Sequence, residues 1–269
     1  RPPPRATPLY SSAASDVYKR QGLHSRLLLR TGDPSSPPPL TGNLLLDRLV
    51  GAELCFITPA EYAERSRLME QARRELDQAG HKAYVIPEGG SSGIGALGYV
   101  AAIEELAAQQ RTGELPTGLD VLAFACGSGG TAAGIALGLG LLPGVAKRAV
   151  AIAVCDDRAY FEAVISRIVA EACALEPGLK PPGPLSVHDE FRGPAYGSAS
   201  RAQLAFISKV ARETGLLLEP TYTGKALFGL SQLSPKPKRA LFLHTGGLPG
   251  LLAESTTMVE ASELDAGGS

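Results

Sequence analysis

Gly127-Ser128-Gly129-Gly130-Thr131 separates the apolar run from Val121 to Ala125 from the apolar, glycine-rich run from Ala132 to Leu142. A strand, a tight turn and a helix in that order would set three glycines and two hydroxyls at the positive end of a helix. Glycine lets backbone N–H groups approach an anion with no Cβ in the way, and Ser128 and Thr131 add hydroxyl donors. The loop holds no Lys or Arg, so a phosphate there would be gripped by amides and the helix dipole. The same residues satisfy the degenerate dinucleotide pattern Gly127-x-Gly129-x-x-Ala132. The following apolar run ends at Asp156-Asp157, where a ribose-binding acid would stand. A nicotinamide-dependent oxidoreductase is therefore open on spacing, but it gives no role to Tyr196, Tyr222 or the second glycine turn, Thr245-Gly246-Gly247. A non-catalytic protein that binds a phosphate ligand is open as well.

Two other patterns carry less. Gly89-x-Ser91-x-Gly93, with His244 later in the chain, has the spacing of a serine-hydrolase nucleophile elbow, but Pro87 and Glu88 intervene where a strand should enter the turn. A glycine-rich loop joining two domains is the preferred reading. Gly224-Lys225 suggests a nucleotide-binding lysine, yet the residue five before Gly224 is Glu219 rather than Gly. Lys225 reads as a lysine in the first turn of a helix.

The elements that must position these residues alternate along the chain. Strands are expected at Leu27 to Leu29, Glu53 to Ile57, Ala83 to Ile86, Val121 to Ala125, Ala149 to Val154 and Ala240 to Leu243. Helices are expected at Thr41 to Val50, Ala60 to Ala79, Ala96 to Gln110, Ala132 to Leu142, Arg158 to Ala174 and Ala199 to Thr214. Strands joined by helical crossovers imply an α/β fold with a parallel sheet covered on both faces. Pro177 to Pro184 reads as a linker.

The chain has 269 residues, with 26 basic against 27 acidic, and the basic residues are scattered. That balance gives no reason to expect a nucleic-acid or anionic-membrane partner, and a small zwitterionic ligand is more natural. Cys55, Cys126, Cys155 and Cys173 lack paired spacing and read as reduced thiols, and the four histidines are too dispersed for a zinc site. The apolar stretch from Ala132 to Leu142 is too short to span a membrane. Residues 1–21 read as a disordered leader, and SSAASDVYKRQ within them resembles translated adapter sequence, which puts the native protein's start outside the chain. Residues 22–88 read as part of a small α/β domain, 89–258 as a large ligand-binding domain and 259–269 as a frayed tail.

In order, Ile86-Pro87-x-Gly89-Gly90-Ser91, Gly95-Ala96-Leu97-Gly98-Tyr99, Gly127 to Thr131, Pro194-Ala195-Tyr196-Gly197, Tyr222-Thr223-Gly224-Lys225 and His244-Thr245-Gly246-Gly247 resemble the D-cysteine desulfhydrase and 1-aminocyclopropane-1-carboxylate deaminase family. These belong to the tryptophan-synthase-β-like pyridoxal-phosphate enzymes, and the resemblance covers roughly Leu23 to Ala253. It implies a three-layer fold with a small and a large domain, incomplete at the N-terminal side, and homodimer assembly. It implies that Gly127, Ser128, Gly129, Gly130 and Thr131 hold the phosphate of pyridoxal 5'-phosphate and that Thr245 approaches the pyridine nitrogen. Tyr196 and Tyr222 would be catalytic and face a small amino-acid substrate beside Thr223. The implied reaction removes the Cα proton and expels a Cβ thiolate, ending in pyruvate, ammonia and hydrogen sulfide. The deaminase branch carries a glutamate where Thr223 stands, so the desulfhydrase branch is favoured. The family's Gly-Asn-Lys motif, whose lysine forms the Schiff base, and its Ser-Asn-His loop are not found in this chain. Turnover is therefore expected to be negligible, and the fragment marginally stable or prone to aggregate. Compartment is not legible.

Overall fold

The computed structural model describes residues 17–253, and the expected tail at 259–269 lies outside the described residues, as do positions 1–16 of the expected leader. Residues 17–20 form a helical turn, with Gln21 N–H donating to Tyr18 O at 3.1 Å. The chain divides into two compact units, one up to Gly89 and one from Gly90 on.

In the first unit, β1 (Arg26–Arg30) pairs in parallel with β2 (Glu53–Ile57), and α1 (Gly42–Leu49) lies between them in sequence. The single long helix expected over 60–79 is two: α2 (Pro59–Ala63) and α3 (Arg65–Gln78). Thr58 and Glu61 form a reciprocal capping box with Pro59 at the first helical position, and the backbone turns out of the helix at Glu64 (φ −100°, ψ 20°). The strand expected over 83–86 does not form, and the Ala83 N–H donates instead to Asp77 Oδ1 at 3.2 Å.

The second unit holds a four-stranded parallel sheet in the order β5-β4-β3-β6, built from β3 (Leu119–Cys126), β4 (Ala146–Ala153), β5 (Leu185–His188) and β6 (Ala240–Phe242). Its helices are α4 (Gly93–Thr112), α5 (Gly130–Leu141), α6 (Arg158–Leu175), α7 (Arg201–Thr214), α8 (Thr223–Gln232) and α9 (Leu248–Ala253). Alternation along the strands shows the three layers. Leu122, Phe124 and Cys126 of β3 and Ala149, Ala151 and Ala153 of β4 enter a core with residues of α4, α5 and α6. Val121, Ala123, Val150 and Ile152 enter a second core with Ala226 and Leu233 on the α8 side. The strands are buried on both faces, which is why they read as continuous apolar runs. Close packing of α5 on α4 depends on glycine: a Cβ at Gly134 would fall 2.2 Å from Ala96 O.

β5 and α8 go beyond the sequence expectations. β5 is a short edge strand that follows the proline-rich stretch, and α8 has no Ser, Thr, Asp or Asn at its N-cap, which is Tyr222.

Candidate functional site

The carboxyl ends of parallel strands are where open α/β sheets bind ligands. β3 ends at Cys126, α5 begins at Gly130, and Gly129 is its N-cap in the left-handed region at φ 87°. The turn admits no side chains at its centre. A Cβ on Gly129 would lie 3.0 Å from Val164 Cγ1, and one on Gly130 would lie 2.7 Å from Ser91 Oγ and 3.0 Å from Ser91 Cα. Ser91 is buried and joins the turn from a distant point in sequence. Its hydroxyl accepts the Gly130 N–H at 3.0 Å and donates to Ser128 Oγ at 2.8 Å. Gly127, Ser128 and Thr131 stay partly exposed. The result is a narrow, uncharged set of amide and hydroxyl groups at a helix N-terminus, which fits a phosphate monoester and excludes bulk. The Gly130 N–H being taken by Ser91, a phosphate such as that of pyridoxal phosphate would meet the other amides of 127–131 and the hydroxyls of Ser128 and Thr131. Ser91 was missed as a partner of this turn; the signal for it was the second glycine cluster, Gly89-Gly90.

The neighbouring thiols are inert. Burial pushes the Cys126 and Cys155 thiols up to about 12, so both are protonated at neutral pH. Asp157 caps α6 by accepting the Tyr160 N–H at 2.8 Å, which commits one of the two acids offered there for a ribose hydroxyl. Among the described residues no group of three or more His, Cys, Asp or Glu could hold a metal ion.

Tyr196 and Tyr222, 26 positions apart in sequence, are brought together. Their hydroxyls are hydrogen-bonded to each other, and the rings meet edge to face with centroids 5.9 Å apart. Burial raises the Tyr222 phenol well above its ordinary pKa, so it stays protonated. Beneath Tyr222 lies Glu219, 2% exposed, whose carboxylate accepts three backbone N–H groups: Thr221 at 2.7 Å, Tyr222 at 2.5 Å and Thr223 at 2.7 Å. Glu219 thereby does what an N-cap side chain would do for α8. Burial raises its pKa, and the N–H bonds oppose that shift. The Thr223 hydroxyl accepts the Glu219 N–H at 3.0 Å, so this side chain is turned into the helix cap.

Lys225 follows on the first turn of α8 and is fully buried. Its Nζ donates to Val154 O at 3.0 Å, Arg192 O at 2.6 Å and Ala195 O at 2.9 Å. Neither Glu219 nor Lys225 was legible as part of the site, because their partners are backbone atoms contributed by other segments. Thr245 is exposed in the turn after β6, the strand beside β3. That turn sits on Glu219, since a Cβ on Gly247 would fall 2.1 Å from Glu219 Cγ. His244 is held by Leu217 O at 2.9 Å and by the Gly246 N–H at 3.3 Å, which assigns its proton to Nε2. It does not meet Ser91, whose own partners are Gly130 and Ser128.

The family model for pyridoxal-phosphate dependent enzymes matches residues 12–246. The bifunctional D-cysteine desulfhydrase/1-aminocyclopropane-1-carboxylate deaminase of Arabidopsis thaliana, a mitochondrial protein, is 38% identical over 240 residues. That match covers 85% of this chain and 58% of the relative, so the chain spans less than two thirds of that protein's length. The D-cysteine desulfhydrase of Serratia proteamaculans is 35% identical over 249 residues, covering 88% of this chain and 72% of the relative. The crystal structure of an ACC deaminase homologue superposes with a TM-score of 0.79 at 33% identity, covering 91% of this chain and 72% of that one. No helix among the described residues is long and apolar enough to cross a membrane. With a parallel α/β fold that matches the ACC deaminase homologue and a family model that spans most of its length, the chain belongs to the pyridoxal-phosphate dependent enzymes, among relatives named D-cysteine desulfhydrase and 1-aminocyclopropane-1-carboxylate deaminase.

Proposed function

We propose that this protein is a lyase of small amino acids, with the α,β-elimination of D-cysteine to pyruvate, ammonia and hydrogen sulfide as its favoured reaction. The observation that carries the reading is the pair of hydrogen-bonded tyrosines on the same strand-end face of the sheet unit as an uncharged phosphate cradle. When bound, pyridoxal phosphate supplies the electron sink that makes a Cα proton removable. The chain's own residues do the rest. The cradle orients the cofactor by its phosphate. Tyr222, kept protonated by burial, holds a proton at its hydroxyl that Tyr196 shares, suited to steadying a thiolate leaving from Cβ. Thr245 would offer a neutral hydroxyl to the ring nitrogen. Thr223, engaged with the Glu219 backbone, brings no carboxylate beside Tyr222, which supports thiol elimination over deamination of the cyclopropane substrate.

Lys225 is not a substitute for a Schiff-base lysine, because its three partners occupy the ammonium on all sides. We therefore expect negligible turnover from these 269 residues, and the reading is best tested by binding. Phosphopyridoxyl-D-cysteine, the reduced conjugate of cofactor and substrate, should bind by calorimetry more tightly than pyridoxal phosphate alone and far more tightly than the conjugate lacking the phosphate. Tight binding of NADH with no response to either phosphopyridoxyl ligand would overturn the reading. In the same reading the protein works as a homodimer.

A further inference from the structure

We propose that Lys225 is a built-in monovalent cation, a positioning residue whose ammonium fills a carbonyl-lined site and so fixes the loop that carries Tyr196. Its relevance to substrate rests on the lyase reading above, but the cation site itself does not. The hydrogen-bond partners of Nζ are the peptide carbonyls of Val154, Arg192 and Ala195, at 3.0, 2.6 and 2.9 Å. Carbonyl oxygens converging on one positive charge are how a protein replaces the water around a bound cation. An ammonium has three donors to match three acceptors.

The carbonyls come from two places that the lysine ties together. Val154 follows the end of β4, and its N–H donates to Cys126 O at 3.1 Å, at the edge of the phosphate cradle. Arg192 and Ala195 belong to the loop that ends in Tyr196. That loop wraps closely on the side chain: a Cβ on Gly193, at φ 74°, would lie 3.3 Å from Lys225 Cε. Buried Gln203 of α7 holds the same loop from its other side, donating to Phe191 O at 2.7 Å and accepting the Ser200 N–H at 2.8 Å. Lys225 is thus the one charged member of a two-point clamp on the Tyr196 loop. Burial lowers its pKa to about 8, Glu219 opposes that shift, and the three carbonyl acceptors suit the ammonium form. A methyl-terminated side chain would fill the space, but would take the ammonium donor from the carbonyls of Val154 and Arg192, while Ala195 O keeps the Ser198 N–H at 3.1 Å.

The test compares the whole chain with Lys225→Ala, which leaves the carbonyls facing a cavity, and Lys225→Met, which fills it. Melting is followed in potassium, ammonium or choline chloride at equal ionic strength, about 0.1 M. Potassium or ammonium should raise the melting temperature of Lys225→Ala over that in choline, and leave the native chain and Lys225→Met unchanged. The chain has 8 Tyr and no Trp, so near-ultraviolet circular dichroism reports the tyrosines. The band of Lys225→Ala should be lost in choline and recovered in potassium. Affinity of Lys225→Ala for phosphopyridoxyl-D-cysteine should fall about tenfold in choline and return with potassium, while affinity for pyridoxal phosphate alone changes less than about twofold. Indifference of Lys225→Ala to cation identity, or an unchanged tyrosine band, overturns the proposal. If neither variant folds, the native chain decides: a slowly exchanging lysine ammonium signal by nitrogen-15 NMR supports the site, and its absence overturns it. Cation rescue without any affinity for phosphopyridoxyl-D-cysteine would retain the cation site and refute the lyase reading.

Discussion

The phosphate cradle and the tyrosine platform leave the same end of one sheet and are built on opposite principles. The cradle after β3 works by omission: Gly129 and Gly130 lack side chains, the loop lacks charge, and hydroxyls of Ser91 and Ser128 complete it. The platform around Tyr196 and Tyr222 works by burying charge. Glu219 gathers the N–H groups at the start of α8, and Lys225 gathers carbonyls from the residue after β4 and from the Tyr196 loop. A binding site made of backbone needs close approach, whereas one that aims side chains needs a rigid support beneath them.

If the cradle is held by close approach, the largest effect should follow from adding one carbon to it. Gly130→Ala places a Cβ on Ser91, and is expected to lower affinity for pyridoxal phosphate at least about tenfold and stability by about 1–3 kcal/mol. Absorbance titration and denaturant unfolding measure both, and Gly144→Ala, with open space around the added carbon, should change neither.

On the platform, Glu219→Gln keeps one acceptor oxygen and turns an NH2 toward a backbone donor. With the amide oxygen serving Tyr222 and Thr223, the Thr221 N–H is left without a partner, a loss of about 1–3 kcal/mol in denaturant unfolding. Ser91→Ala removes a hydroxyl from the cradle without adding bulk and should cost about 1 kcal/mol, less than Gly130→Ala. A result the other way round would mean that the hydroxyl, and not the clearance, holds the turn.

The smallest effect lies at the far end of β3, away from both regions. Asp120 accepts from Lys147 and from the N–H groups of Arg239 and Lys238, and the Lys147 bond chiefly holds its carboxyl down to about 2. Between the ordinary carboxylate range and that value the unfolded chain binds more protons than the folded one. The contribution of Asp120 is therefore complete above about pH 4 and is lost as pH falls toward about 2. Melting curves should show a slightly lower melting temperature for Asp120→Asn than for the native chain at neutral pH, a shallower acid slope, and convergence of the two as pH falls toward about 2.

These contrasts explain what the sequence revealed and what it hid. The turn at Gly127 to Thr131 was legible as a turn because a backbone that admits no Cβ writes its needs as glycines in a row, and β3 and β4 were legible because burial on both faces leaves apolar runs. Lys225 was legible only as a helix residue, since no side chain marks the carbonyls of Val154, Arg192 and Ala195 as its partners. Glu219 hid for a similar reason: it caps α8 from three residues before the N-cap, outside the local signal that would announce a helix. β5 escaped because an edge strand after a proline-rich stretch has too few residues to show a period. The 83–86 segment misled in the other direction, carrying strand-like residues while Asp77 takes the Ala83 N–H.

The central claim is that residues 127–131 grip the phosphate of pyridoxal phosphate through their backbone. Amide chemical shifts of the nitrogen-15-labelled chain, followed during titration with pyridoxal phosphate, pyridoxal and inorganic phosphate, test it directly. The account predicts that pyridoxal phosphate and, more weakly, inorganic phosphate shift the amides of Gly127 to Thr131, while pyridoxal without its phosphate leaves them in place. Shifts confined to other residues, or the same response to pyridoxal as to its phosphate ester, would contradict it.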